Sequence, residues 1–255
     1  MIKQERSLRI SEREKIKIAV NSMGLDYLKP FNPDEKIIEY RLKDPGKKKL
    51  VDHSAAALAE ETASESMAPG GGSIAAYVGA LGVSLGTMVA NLSAHKPGWD
   101  DQWAIFSEWA QKGQDYKNEL LHLVDEDTKS FNKIIEAFRL PKGSEQEKQV
   151  RSEAIETATK YATEIPFKVM QIAYESLEVM QAMIKEGLPS SLSDAGVGIL
   201  CARTAVIGAY FNVRINAKDI KDKVFVDEIL SKAKEIYLNT LKAENDAMDV
   251  IDSRM

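Results

Sequence analysis

The chain has 255 residues, 44% hydrophobic and 29% charged, the proportions of a folded domain and not of a disordered or low-complexity chain. Its formal net charge of −5 argues against nucleic acid as the main partner, because phosphate binding needs clustered positive charge. The single cysteine, Cys201, cannot form an internal disulfide, and the polar start Met1-Ile2-Lys3-Gln4-Glu5-Arg6 has no apolar signal core. A cytoplasmic protein is expected.

The first element expected is a helix opened by the capping box Ser11-x-x-Glu14, carrying Ile16, Ala19, Val20 and Met23 and stopped by Gly24. Residues 26–49 change character. Pro30, Pro33 and Pro45-Gly46 bracket a short run over 37–42, which reads as an extended linker with one short strand, and Lys47-Lys48-Lys49 reads as a solvated basic run. From Ser66 to His95 there is no Asp, Glu, Lys or Arg, which is long enough to span a bilayer. The stretch is rich in small residues (Ala75, Ala76, Gly79, Gly82, Gly86) and opens with Gly70-Gly71-Gly72. Small residues let neighbouring helices approach closely, so the expectation is a buried central helix over 73–94 and no membrane span.

A long amphipathic helix is expected over 99–138, with Trp103, Phe106, Ala110, Tyr116, Leu120, Val124, Phe131, Ile134 and Phe138 on its apolar side. Pro141-Lys142-Gly143 breaks it and Ser144-x-x-Glu147 restarts a helix that runs to Pro166, where a kink or break is expected. The seam then continues through Met170, Ala173, Leu177, Met180 and Ile184 to Gly187 and Pro189. Ser193-Asp194 caps a small-residue helix over 194–213, and a charged helix follows over 222–251. The fold class is all-α, a helical bundle of long antiparallel helices preceded by a short irregular segment. Residues 1–49 and 50–255 form the two divisions of the chain.

Helical register singles out one residue. The inward seam steps through Leu120, Val124, position 127, Phe131 and Ile134, and position 127 is Asp127. A carboxylate on an apolar stripe is costly to bury ionised unless it has a partner. It is either a structural group paired with a lysine or hydroxyl, or an acid–base whose pKa burial has shifted. Asp125 and Glu126 fall on the outer faces. The glycine run ending at Ser73 is either a flexible connection with Ser73 as helix cap or a backbone cradle for a ligand. Glu119-x-x-His122 has the spacing of di-iron bundles but no second copy, so no metal site is expected. Cys201 lies among small apolar residues and reads as core packing.

Taken in order, Pro69-Gly-Gly-Gly-Ser73, Leu123-Val-Asp-Glu-Asp-x-x-x-Phe131, Ser193-Asp194-x-x-Val197, Gly208-Ala-Tyr-Phe-Asn-Val213 and Asn216 resemble the formiminotetrahydrofolate cyclodeaminase family over about residues 50–250. The stretch from Met23 to Tyr40 resembles the C-terminal edge of the formiminotransferase domain that precedes the cyclodeaminase in bifunctional members. The resemblance implies conversion of 5-formiminotetrahydrofolate to 5,10-methenyltetrahydrofolate with release of ammonia, a step in histidine breakdown that needs no added cofactor. Asp127 takes the place of the catalytic aspartate, in general base and then general acid catalysis. Gly70, Gly71, Gly72 and Ser73 line the folate site, Asp194 contacts the pterin or orients a neighbour, and Lys96 meets the glutamate tail of a polyglutamylated substrate. A homodimer or higher oligomer is implied, with a separate formiminotransferase chain as a docking partner and no transferase activity in this chain itself. The alternatives are a methenyltetrahydrofolate cyclohydrolase and a catalytically silent helical scaffold.

Overall fold

The computed structural model describes residues 12–27, 29–41 and 49–255, and among these the chain is helical with no strand. Ser11 of the expected capping box, and Lys47 and Lys48 of the basic run, lie outside the described residues. Helix α1 (Glu12–Ser22) ends before Gly24, whose φ of +65° supplies the left-handed stop expected there. In place of the short strand there are two one-turn helices, α2 (Pro33–Lys36) and α3 (Ile38–Arg41). The local signals favour that outcome. Asn32 caps α2 by accepting from the Asp34 N–H at 3.2 Å and Pro33 sits at its first position, whereas a lone strand would leave its ladder groups unpaired.

Helix α4 (Ala55–Ala63) is capped by Ser54 and leads to α5 (Gly71–Ala94), the charge-free helix. Fourteen of the 24 residues of α5 are buried, which makes it the centre of the bundle. It starts two residues earlier than expected. Gly70 takes the extended cap conformation and Gly71 and Gly72 are already helical, so Ser73 lies inside the first turn and does not cap it. By length and apolarity α5 and the segment around α9 (Leu192–Asn216) each match what a bilayer span requires, but much of that surface, above all on α5, is packed against other helices.

The remaining elements are α6 (Trp103–Phe138), α7 (Glu145–Glu175), α8 (Leu177–Glu186) and α10 (Lys223–Asp252). The Ser144–Glu147 capping box is present, with the Glu147 N–H donating to Ser144 Oγ at 3.2 Å and Glu147 Oε2 accepting from the Ser144 N–H at 2.9 Å. Helix α7 does not break at Pro166 but at Ser176. Proline has no N–H for the carbonyl four residues back. That carbonyl, of Ala162, accepts instead from Asn216 Nδ2 of α9 at 2.7 Å, so a neighbouring helix satisfies the group that Pro166 leaves open.

Close approach explains why α5 is built from small residues. It runs antiparallel to α9: a Cβ added at Gly79 would lie 3.0 Å from Ala205 Cβ, and one at Gly82 would lie 2.8 Å from both Cys201 Cβ and the Gly198 carbonyl oxygen. On α6, Gly113 makes room for Thr87. Cys201 is half-buried against Gly82, and burial pushes its thiol pKa up. Other buried hydroxyls of α5 satisfy themselves within the helix, Thr87 on the Val83 carbonyl at 2.7 Å and Ser93 on the Val89 carbonyl at 2.8 Å.

In an isolated helix Gly82→Ala would stabilise by about 1 kcal/mol. Here the added methyl collides with backbone on α9 that cannot give way cheaply, and overpacking of this kind costs about 1–3 kcal/mol. We expect a net loss of stability, read as a lower urea midpoint with an unchanged slope.

Candidate active site

The site forms where the central helix begins. Helices α5 and α6 are antiparallel, with Thr87 against Gly113, Gly79 against Leu120 and Gly72 against Asp127. Beyond Asp127, α6 runs on to Phe138 past the start of α5. Phe131, expected on the inward seam, therefore has no α5 to pack on. It is 42% exposed and lines a cavity of about 220 Å³. The wall of this cavity also includes Met67, Gly70, Gly71, Gly72, Asp127, Ile134, Ala162, Asn212 and Asn216.

Asp127 is half-buried and tied to the first turn of α5. Ser73 donates its hydroxyl to Asp127 Oδ2 at 2.9 Å, and its backbone N–H, at the start of the helix, also favours the ionised carboxyl. The hydroxyl can do this because Ser73 sits at the third helical position, where no carbonyl four residues back belongs to the helix. A Cβ at Gly72 would lie 2.7 Å from Asp127 Cγ, so a side chain there would push the carboxyl from its place. Among the described residues no ion pair holds Asp127. Of the two readings left open by the sequence, a hydroxyl partner is found, and the carboxyl faces a cavity.

Two effects oppose each other at this group. Burial disfavours the ionised form and is the larger, so the Asp127 pKa lies above the usual carboxylate range. The Ser73 hydroxyl and N–H favour the ionised form and hold the pKa back. The N-terminal end of α5 favours negative charge in the same sense.

The residues flanking Asp127 do more than face outward. Asp125 Oδ1 accepts from the Leu50 N–H at 2.8 Å and fastens the turn at 50–52 to α6, while Glu126 Oε2 accepts from the Tyr161 hydroxyl at 2.8 Å on α7. Their partners lie far away in sequence, so register alone did not reveal them. Asn212 and Asn216 were visible only as members of a motif. Each donates one side-chain N–H to a backbone carbonyl, Asn212 to Gly208 at 2.9 Å and Asn216 to Ala162 at 2.7 Å.

Gly70, Gly71, Gly72, Ser73 and Asp127 are thus brought together, and Lys96 and Asp194 are not. At 1.5 Å rise per residue Lys96 stands roughly 35 Å along α5 from Gly72, where its ammonium lies 4.1 Å over the Trp99 ring. Asp194 is in the first turn of α9, about 27 Å from Asn212 at the other end of that helix. Because α5 and α9 are antiparallel, Lys96 and Asp194 share the far end of the pair.

Residues 54–235 match the family model described as formiminotransferase-cyclodeaminase, and residues 1–43 match a formiminotransferase domain model. A formimidoyltransferase-cyclodeaminase of Mus musculus is 34% identical over 254 residues, which are 95% of this chain and 47% of that protein. The Gallus gallus protein of the same name is 36% identical over 228 residues, 89% of this chain and 42% of that one. The chain therefore spans about half the length of these relatives. A methenyltetrahydrofolate cyclohydrolase of Methylorubrum extorquens is 32% identical over 170 residues, 67% of this chain and 82% of that protein. In fold, the chain matches a crystal structure of formiminotetrahydrofolate cyclodeaminase from Thermotoga maritima with a TM-score of 0.71 at 21% identity, covering 80% of this chain and 98% of that one.

The balance at Asp127 gives a direct expectation. Ser73→Ala removes a bond to the ionised form and leaves burial in place, so the Asp127 pKa should rise further. A carboxyl titration followed by carbon NMR checks this, and an unchanged or lower midpoint would contradict the assignment of Ser73.

Proposed function

The chain belongs to the formiminotransferase-cyclodeaminase family, and on that premise we propose that it closes the ring of 5-formiminotetrahydrofolate to give 5,10-methenyltetrahydrofolate and ammonia. One observation carries the reading. A carboxyl of raised pKa, without a cation beside it among the described residues, faces a cavity at the start of a helix. The reaction needs such a group. The folate's secondary aniline nitrogen attacks the formimino carbon and loses a proton, and the departing nitrogen gains one and leaves as ammonia. Asp127 can take the first proton as carboxylate and return it as carboxylic acid, which leaves the enzyme unchanged. The glycine backbone at 70–72 lets the pterin approach the first turn of α5. On this reading the enzyme is an ammonia-lyase of one-carbon metabolism and histidine degradation, with a formiminotransferase domain as its partner in supplying the substrate.

A second reading, methenyltetrahydrofolate cyclohydrolase, is favoured by the Methylorubrum extorquens relative. Ammonia release from 5-formiminotetrahydrofolate, set against loss of methenyltetrahydrofolate absorbance, separates the two activities.

Oligomerisation is part of the proposal. Leu81, Met88 and Leu92 of α5 and Val197, Leu200, Phe211 and Ile215 of α9 form exposed apolar stripes on two helices already packed together. An apolar face of this extent is unusual on a monomer. Two-fold antiparallel pairing of these faces lays the end carrying Lys96 and Asp194 on one copy beside the Asp127 end of the other. That is the arrangement through which those two residues would act. Phe211→Asp, at a side chain 59% exposed, should yield folded monomer in sedimentation at micromolar concentration.

Asp127→Asn should lower the ring-closure rate by about 10²–10⁴. Asparagine still accepts the Ser73 hydroxyl but cannot carry a proton at neutral pH. The stability effect has a definite sign. The folded-state pKa of Asp127 is raised, so burying its charge disfavours folding above that pKa, and the penalty vanishes below the unfolded value. Asp127→Asn should therefore be no less stable than wild type at pH 7 and should lose any advantage in acid. Asp125→Asn weakens the tie to Leu50 and should spare the chemistry. An inactive Asp125→Asn beside an active Asp127→Asn would overturn the assignment.

A further inference from the structure

The pocket at Asp127 is too small to hold a whole folate, and the structure offers a continuation. Next to it, between α6 and α7, lies a more open groove of about 560 Å³, lined by Lys133, Glu136, Ala137, Leu140, Ala158 and Tyr161 among others. The two cavities adjoin on both walls. On α6, Lys133 of the groove is followed by Ile134 of the pocket, and on α7, Tyr161 is followed by Ala162. The groove floor is apolar, with Ala137 and Ala158 buried. One aromatic ring and one cation stand over it, with Lys133 Nζ 4.0 Å from the centroid of the Tyr161 ring. Tyr161 is held in place by its hydroxyl, which donates to Glu126 at 2.8 Å, one residue from the catalytic carboxyl.

We propose that this groove is the subsite for the aminobenzoyl-glutamate arm of the substrate, with the aryl ring against Tyr161 and the first carboxylate on Lys133. This rests on the folate reading given above and adds to it the path the substrate takes out of the catalytic pocket. Three features select the occupant. The groove lies beside the reacting centre along the same two helices, it is apolar where the arm has an aromatic ring, and it carries a cation where the arm becomes anionic. Along α6, Lys133 is six residues from Asp127, about 9 Å by helical rise and about 120° round the helix, so the arm would pass from the pocket over the edge of α6 to reach it. Glu136 on the same wall cancels the formal charge of Lys133. The anion is therefore read by direct contact and not by a general positive field. The subsite lies within one subunit and gives the first carboxylate its own contact in Lys133, leaving the outer glutamate tail to Lys96.

Two variants and two ligands test the proposal. Lys133→Glu reverses the cation, and Thr157→Trp places a bulky ring across the groove from an exposed position on its rim. Calorimetric binding is measured for tetrahydrofolate and for 6-methyltetrahydropterin, which has no arm. Lys133→Glu should weaken tetrahydrofolate a few-fold, as an exposed ion pair allows. Thr157→Trp should weaken it by roughly ten-fold or more, through loss of the ring's burial. Binding of the pterin should be unchanged in both. Equal losses for the two ligands, or no loss for either, would overturn the subsite while leaving the catalytic reading intact. A wild-type protein that binds neither ligand would overturn both. A change of oligomeric state in Thr157→Trp would assign the groove to a subunit contact and overturn the subsite as well.

Discussion

The contact between the Gly72 backbone and the Asp127 carboxyl is the constraint on which the site depends. A helix can bring its backbone this close to a side chain of a facing helix only where it carries no side chain of its own in between. Along α5 the same condition recurs at Gly79, Gly82 and Gly86, where an added Cβ would lie 3.0 Å or less from an atom of a neighbouring helix. Small residues thus serve packing along most of the helix and chemistry at its start. That continuity makes the site rigid, since the carboxyl is fixed between two long helices and not carried on a loop.

The cavity is a consequence of unequal helix lengths. Helix α6 has 36 residues and α5 has 24, and the excess of α6 lies beyond the start of α5. Over that overhang α6 lies along α7 without α5, and the space where α5 would have been becomes the pocket. Asn216 closes its far side while satisfying the Ala162 carbonyl left open by Pro166. A proline that would weaken an isolated helix therefore serves to dock α9 onto α7 at the edge of the site.

Much of the fold is legible in the sequence because its signals are local. The Ser144 capping box, the stop at Gly24 and the charge-free run of α5 depend on a few neighbouring residues, and each defines an element. The expected strand near residue 37 fails for the opposite reason, since a strand needs a partner and none lies among the described residues. Asp127 is legible because helical register is local too. Its surroundings are less so. That Phe131 would be exposed depends on where α5 ends relative to α6, and that Ser73 would bond Asp127 depends on the helix starting at Gly71 and not at Ser73. The roles of Asp125 and Glu126 depend on Leu50 and Tyr161, 75 and 35 residues away. Register can say which way a side chain faces but not what it meets.

The electrostatics of Asp127 bear on how one scaffold serves both activities named among its relatives. A lysine or arginine beside the carboxyl would hold it ionised and make it a poor acid. Burial alone would keep it protonated and make it a poor base. At Asp127 burial raises the pKa and Ser73 works against it, and a group that takes a proton and returns it in one turnover needs neither form to be locked in. Ring closure with loss of ammonia and hydrolysis of the closed ring act on the same carbon between the same two nitrogens, and each requires that proton to be carried in both directions. The proton carrier can therefore be common to both. What separates the two reactions is whether water or the folate nitrogen attacks the ring carbon, a difference of access to the cavity that Phe131, Ile134, Asn212 and Asn216 line, and not of the proton carrier.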